Sequence, residues 1–426
     1  MRFDLPATVI GASRCFVSSC VIPNAPKVLL HNSVSRKCQG SCGRFSNDAV
    51  AALFDGGRFV ITLERATGSH IGRDWALWES GDFAAQVYPT LPPARTLADL
   101  LAAFAKSAKA AAFSCVGMYR RKGDELWKRA VDETGGKALM GGDNHCLVRS
   151  VPVQTSRQRS LKKRLAAAAG VDSEGRPIPG VRPADALLLM SGSHPVRHLP
   201  FARRVLPDTL DELRLVDQMK RNGLLPKQVS LWTVANPMLE GSVEEEEGKV
   251  GNHKRICAGI AYLQRKVDLG AEVIITQPPL AWRPFERWLR DVKDAGILCS
   301  GEGCLKGAKI IVGLPIITSP VGLNFWLDLC GVAKTNPLRV EASSAVGGEG
   351  DANSVDMSSK GEGSREYGDS WFKMTFARLR SLGDSGGVAG VHVMAPGGIP
   401  RRRALELANG GFFHVGRGSG VNSTSE

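Results

Sequence analysis

The chain has 426 residues, 43% of them hydrophobic and 23% charged, which is enough apolar content to bury a sizeable core. No run approaches the roughly 18 consecutive apolar residues of a membrane span, so no membrane partner is expected. The formal net charge is +13, with basic residues gathered at Arg120–Lys122, Arg157–Lys163 and Arg401–Arg403. Aromatics are not interleaved with them as on a base-stacking surface, so nucleic acid is not an expected partner and solvated helix faces account for the clusters.

Ten cysteines are scattered along the chain, four of them in the first 42 residues. Cys38/Cys42 and Cys299/Cys304 lack the histidines that would complete a zinc set, so no metal is expected and reduced thiols suffice. Residues 1–50 carry Arg2, Arg14, Lys27, Arg36, Lys37 and Arg44 against Asp4 and Asp48, with seven serines. That composition suits a transit peptide for a mitochondrion or plastid, or an ordinary disordered extension of a cytosolic protein. The sequence leaves open assembly into a homo-oligomer.

From residue 51 to about 412, short β-rich runs alternate with amphipathic helical stretches. Phe59–Leu63 and Ala111–Val116 read as strands, and Asn144–Arg149 as a weaker one. Ala186–Met190 is an apolar run of strand length. Asp208 then caps a helix with Leu210, Leu213, Val216 and Met219 on one face. Val229–Ala235 is the next strand, and Ile256, Ile260, Leu263 and Val267 recur at helical spacing until Gly270.

Glu272–Thr276 follows as a strand, then a helix carrying Phe285, Trp288, Leu289 and Val292 that stops at Gly296. Lys309–Gly313 is a strand and Leu323–Leu329 a helix. The Gly-, Ser- and acid-rich stretch 333–367 reads as a mobile insertion. A helix near Trp371–Leu382, a strand at Val391–Met394 and a helix at Pro400–Asn409 precede a flexible tail, 413–426. A second polar segment, Gly241–Gly251, sits just after a strand. Eight βα units with right-handed crossovers predict a (β/α)8 barrel, and no GxGxxG turn argues for a Rossmann domain.

Barrel chemistry belongs at the C-terminal ends of the strands. Glu64 follows the run Phe59–Leu63, where a partly desolvated carboxyl could act as a general acid; a surface ion pair is the ordinary alternative. Gln277 closes Glu272–Thr276 with an amide that suits a pterin-like edge, or simply satisfies its own neighbours. Trp232 could stack on a flat heterocycle or fill the core.

The block Leu263-Gln264-Arg265-Lys266-Val267-Asp268-Leu269-Gly270-Ala271, followed by Ile274-Ile275-Thr276-Gln277, resembles the "L-K-x-K-V-x-A-G-A…I-T-Q" pattern of the methylenetetrahydrofolate reductase family. Lys309–Pro315 is similar to that family's "I-I-P-G-I-x-P" strand. Leu189 to Pro195 resembles its "A-L-R-G-D-x-P" flavin strand, and Thr62-Leu63-Glu64 its "S-F-E". The match runs from about Ala186 to Cys330 and again near His392.

The resemblance implies an FAD-dependent barrel in which NAD(P)H reduces the flavin and the flavin reduces a methylene folate to a methyl folate. It makes Glu64 the catalytic acid, with Gln277 and Ser193 at the folate. Ser191, Gly192, Trp232 and Lys266 fall at the flavin. Ser191 stands where the family has a phosphate-binding arginine, and Ser193 where it has an aspartate. Gly259 replaces an aspartate and Asn236 a histidine. These departures admit a second expectation, a diverged barrel that binds a folate, flavin or other anion without catalysis.

Overall fold

The computed structural model describes residues 46–65, 71–88, 145–152, 158–179, 181–190, 208–240, 250–298, 307–347, 367–384 and 387–414. Eight strands form one closed sheet: β1 Val60–Glu64, β2 Ala85–Tyr88, β3 Cys146–Pro152, β4 Ala186–Met190, β5 Ser230–Ala235, β6 Val273–Thr276, β7 Lys309–Pro315 and β8 Gly390–Met394. Every neighbouring pair is parallel, and β8 pairs with β1 to close the ring. Parallel strands are buried on both faces, which is why β4, β6 and β7 are almost unbroken Leu, Val and Ile. The protein is a (β/α)8 barrel.

Among the described residues the α-helices are α1 Asp48–Phe54, α2 Ile71–Glu79, α3 Gln158–Ala169, α4 Thr209–Arg221, α5 Pro237–Glu240, α6 Val250–Asp268, α7 Trp282–Asp294, α8 Pro320–Leu329, α9 Leu338–Gly347, α10 Asp369–Asp384 and α11 Gly398–Asn409. Their ends follow local chemistry. Asp208 and Asp211 form a reciprocal capping box at the start of α4: the Asp211 N–H donates to Asp208 Oδ1 at 2.9 Å, and the Asp208 N–H to Asp211 Oδ2 at 3.2 Å. Leu210, Leu213, Val216 and Met219 all face inward from that helix. Gly270 and Gly296, at φ of 95° and 68°, terminate α6 and α7 as left-handed stops.

The second strand is Ala85–Tyr88; Ala111–Val116, expected in that role, lies outside the described residues. β2 escapes a hydrophobic-run reading because it is four residues long and two of them, Gln86 and Tyr88, are polar-tipped side chains buried beside Arg65.

The first described residues, 46–50, pack on the barrel, although they fall inside the stretch 1–50 expected as an extension. The Ser46 N–H donates to Glu272 Oε1 at 3.0 Å and its hydroxyl to the Val229 carbonyl at 3.3 Å. Helix α1 follows, capped by Asn47, and Val50 and Phe54 pack with Val60, Val148, Trp232 and Ile311. Since Val229 and Glu272 precede β5 and β6, α1 closes the N-terminal end of the barrel.

At the other terminus Phe413, placed in the expected tail, is fully buried. Its ring and that of Phe412 interlock with Phe372 and Phe376 of α10, with the Phe376 and Phe412 centroids 4.9 Å apart.

The stretch 333–367 also differs from its reading as a mobile insertion. It contains α9, whose Leu338, Ala342 and Val346 recur at four-residue spacing and are buried in the main core with Leu323, Trp326 and Leu327 of α8. The helix packed on β7 and β8 is α10, so α8 and α9 together form the excursion between β7 and its barrel helix. Residues 348–366 lie outside the described residues. Leu338→Ala should therefore cost about 2 kcal/mol or more in urea unfolding, as for other buried leucines. A cost near zero would show that α9 does not pack.

Candidate active site

Side chains alternate along a strand, and the barrel core fixes which parity points inward. Val60 packs with the interior residues Val148, Ala186, Trp232 and Ile311, whereas Ile61 and Leu63 join the outer core under the helices. Thr62 and Glu64 therefore share the interior face with Val60. On β8, Val391 and Val393 face outward, which leaves His392 inside. Thr62 and His392 are register partners, both buried, and Thr62 Oγ1 and His392 Nδ1 share a hydrogen bond of 2.9 Å.

Glu64 ends β1 at the C-terminal mouth, one layer above this pair, and is half-buried. Loss of water around the carboxyl raises its pKa to about 6. The Arg401 guanidinium opposes that shift, and the Asp74 carboxylate adds to it.

Gln277 follows β6 directly. Its N–H donates to the Ala235 carbonyl at 2.8 Å, extending the β5–β6 ladder by one rung. With Val273 and Ile275 in the interior cluster, Gln277 falls on the same inward parity, half-buried, at the same end of the barrel as Glu64. The closed strand order separates the two by β7 and β8. Between them, Gly313 keeps the wall thin: a Cβ there would lie 2.3 Å from the Thr276 carbonyl oxygen and 2.8 Å from Met394 Cε.

The described residues expected at a flavin sit differently. Trp232 is fully buried in the middle of β5, packed with the interior strands, and its Nε1 has no hydrogen-bond partner among the described residues. Lys266 is on the outer helix α6, 5% exposed; its Nζ donates to the Val234 carbonyl at 2.6 Å and lies 4.9 Å from the Tyr262 ring centroid. As arranged here, neither side chain presents a surface to an isoalloxazine ring or a phosphate. Ser191, Gly192 and Ser193 lie outside the described residues, as does most of Gly241–Gly251. Asn236, on the inward parity after β5, donates from Nδ2 to the Cys330 carbonyl at 2.9 Å, which ties the mouth to the end of α8.

A second group of polar residues, behind the mouth, is not apparent from the sequence. Arg65 Nε donates to Asp74 Oδ2 at 2.5 Å and Arg65 Nη1 to Gln86 Oε1 at 2.6 Å. The Tyr88 hydroxyl donates to the same Gln86 oxygen at 3.0 Å. Arg401 Nη1 donates to Asp74 Oδ1. Arg65, Asp74, Gln86 and Arg401 are each no more than 2% exposed. The cluster Arg401–Arg403, expected as a solvated face, thus divides: Arg402 is exposed, Arg403 pairs with Asp369 and Glu406, and Arg401 is internal.

No family model matches the chain, and no curated protein matches it. Among solved structures it is similar to an uncharacterized protein from Clostridium thermocellum that binds two copies of 5-methyl-5,6,7,8-tetrahydrofolic acid, at 14% identity and a TM-score of 0.44 over 83% of this chain and 94% of that one. It is also similar to 2,3-dimethylmalate lyase, a PEP mutase/isocitrate lyase superfamily member, at 10% identity and a TM-score of 0.37 over 89% and 92%. Likenesses this distant carry nothing about the site, whose assignment rests on its own residues.

Burial lowers the His392 pKa to about 3 from 6.5. The unfolded chain therefore takes up a proton below pH 6.5 that the folded barrel refuses until about pH 3. The stability this neutral histidine supports is present above pH 6.5 and lost as pH falls. Between pH 7 and pH 5 the wild type should lose about 2 kcal/mol more than His392→Gln in urea unfolding. Equal losses would mean that His392 is protonated in the folded barrel.

Proposed function

We propose that the C-terminal mouth of this barrel binds a reduced folate, with the Glu64 carboxyl donating a proton or hydrogen bond to a ring nitrogen and the Gln277 amide reading the pterin edge. The observation that carries this reading is the placement of the Glu64 carboxyl at the inward end of β1, where loss of water pushes its pKa up to about 6. An acid poised near neutrality is what proton delivery to a weakly basic nitrogen needs. An amide on the same face supplies one donor and one acceptor, matching the alternating donors and acceptors of a pterin's amide edge. The Lys266-Val267-Asp268 to Gln277 block, the most specific part of the resemblance, ends at that amide.

The chemistry the resemblance implies is reduction of a methylene folate by NAD(P)H through FAD, and that block favours it as the second reading. Against it stand Trp232 within the packed core and the Lys266 amine bonded to Val234. Folate binding without a flavin is therefore the primary reading, and a purified protein carrying flavin absorbance would promote the second.

The test is a titration with 5-methyltetrahydrofolate from pH 5 to pH 8. A Glu64 carboxyl that donates while protonated should make affinity fall about tenfold per pH unit above pH 6. Glu64→Gln, which keeps a donor that cannot ionise, should bind with no such slope. Should the protein prove to hold flavin, Glu64→Gln should spare oxidation of the nicotinamide and slow folate reduction by about 10²-fold or more. Affinity with the same slope in Glu64→Gln and wild type would remove Glu64 from the site.

A further inference from the structure

Arg401 and Glu64 are 337 residues apart in sequence and meet where β1 ends. The guanidinium stands in the first turn of α11, which follows β8 directly, and Nη1 and Nη2 reach the Glu64 carbonyl oxygen at 3.4 and 3.3 Å. Asp74, on α2, holds the same guanidinium from the other side. The residue after Glu64 is held by the same carboxylate, because Arg65 Nε donates to Asp74 and Arg65 Nη1 to Gln86 of β2. The Arg65 guanidinium also stacks on Trp78 of α2, 5.2 Å from the ring centroid. The backbone of the proposed acid is thus braced by side chains from β2, α2 and α11.

Among the described residues, the charged side chains around Glu64 come from β1, α2 and α11. Arg65 at the end of β1 and Arg401 on α11 are cations, and Asp74 on α2 is an anion. Tyr88 on β2 has its pKa pushed up to about 12 and stays neutral, as does His392 on β8. With Glu64 protonated, Arg65, Asp74 and Arg401 among the described residues carry one excess positive charge. With Glu64 ionised, two cations face two anions.

Resting on the reading of Glu64 as proton donor, we infer that Arg401 is its positioning residue: Arg401 fixes the end of β1 through the Glu64 carbonyl and supplies the cation that offsets the Glu64 carboxylate once the proton has left. The transfer is a single proton from the carboxyl to a ring nitrogen of the folate, leaving a carboxylate on Glu64 and a cation on the ligand. A partly desolvated carboxylate created with no cation nearby would pull the proton back. Arg401 stands in place before the transfer, so no rearrangement is needed to stabilise the product.

The experiment is to follow the Glu64 carboxyl carbon by NMR in protein labelled at glutamate, with Glu64→Gln identifying the signal. Arg401→Gln should raise the Glu64 titration midpoint by about one pH unit or more, the usual size for loss of a neighbouring opposite charge. Arg401→Lys keeps the charge and should stay within about half a unit of wild type. Exposed Arg402→Gln is the control and should match wild type. If Arg401→Gln fails to fold, Asp74→Asn carries the test with the opposite sign, because removing the anion should lower the midpoint. A midpoint unmoved by Arg401→Gln, or moved as far by Arg401→Lys, overturns the inference. Midpoints that shift as expected while Glu64→Gln leaves folate affinity and its pH slope unchanged would instead overturn the folate reading and leave the Arg401–Glu64 coupling standing.

Discussion

Closure of the sheet between β8 and β1 is the constraint on which the rest depends. The two strands approach so closely that a Cβ on Gly390 would lie 2.1 Å from the Val60 carbonyl oxygen, so only glycine fits that seam. Once it is made, the register sets Thr62 beside His392, and the inward parity carries Glu64 one layer higher. The same closure brings α11, which leaves β8, against α2, which follows β1. Their shared layer is where Asp74 and Arg401 meet. Fold closure and the surroundings of the proposed acid are therefore one event.

That shared layer is an unusual place for charge. Helix–strand layers of a parallel barrel are normally apolar on both sides, yet here Arg65, Asp74, Gln86 and Arg401 fill it. Buried ion pairs seldom add net stability over apolar packing, although removing one partner costs about 3–5 kcal/mol. A group of this kind is better understood through what it does to Glu64 than through what it adds to the fold. The interior below the mouth has the opposite character: Trp232, Leu188, Val273 and Ile275 pack tightly above the α1 plug. Thr62, His392, Glu64 and Gln277 lie on the inward face toward the mouth, an arrangement that suits the proposed flat ring.

Much of the architecture was legible because burial on both faces forces runs of Leu, Val and Ile. Strands β4 to β8 and the helices α4, α6, α7 and α10 follow from such runs and from Asp208, Gly270 and Gly296. Strand β2 was not legible, since Gln86 and Tyr88 are buried beside Arg65, and a polar residue with a distant partner looks like a surface residue in sequence. Helix α9 hid in a segment whose Gly, Ser and acidic content masks three buried positions, Leu338, Ala342 and Val346. The positions of Glu64 and Gln277 at strand ends were readable because each closes an apolar run. Arg401 was not: its partner Asp74 is 327 residues away, and two neighbouring arginines make it look like part of a solvated cluster. His392 lay within the expected strand Val391–Met394, but its bond to Thr62 needs the closed barrel.

The central claim is that a reduced folate occupies the C-terminal mouth, above Thr62 and His392. The most direct measurement is hydrogen–deuterium exchange of the protein with and without saturating 5-methyltetrahydrofolate. The account predicts slowed exchange at the ends of β1, β6 and β8, around Glu64, Gln277 and Met394, with α1 and the starts of β5 and β6 unchanged. Slowed exchange confined to α1 and the N-terminal end of the barrel, or no change anywhere at saturating folate, would contradict it.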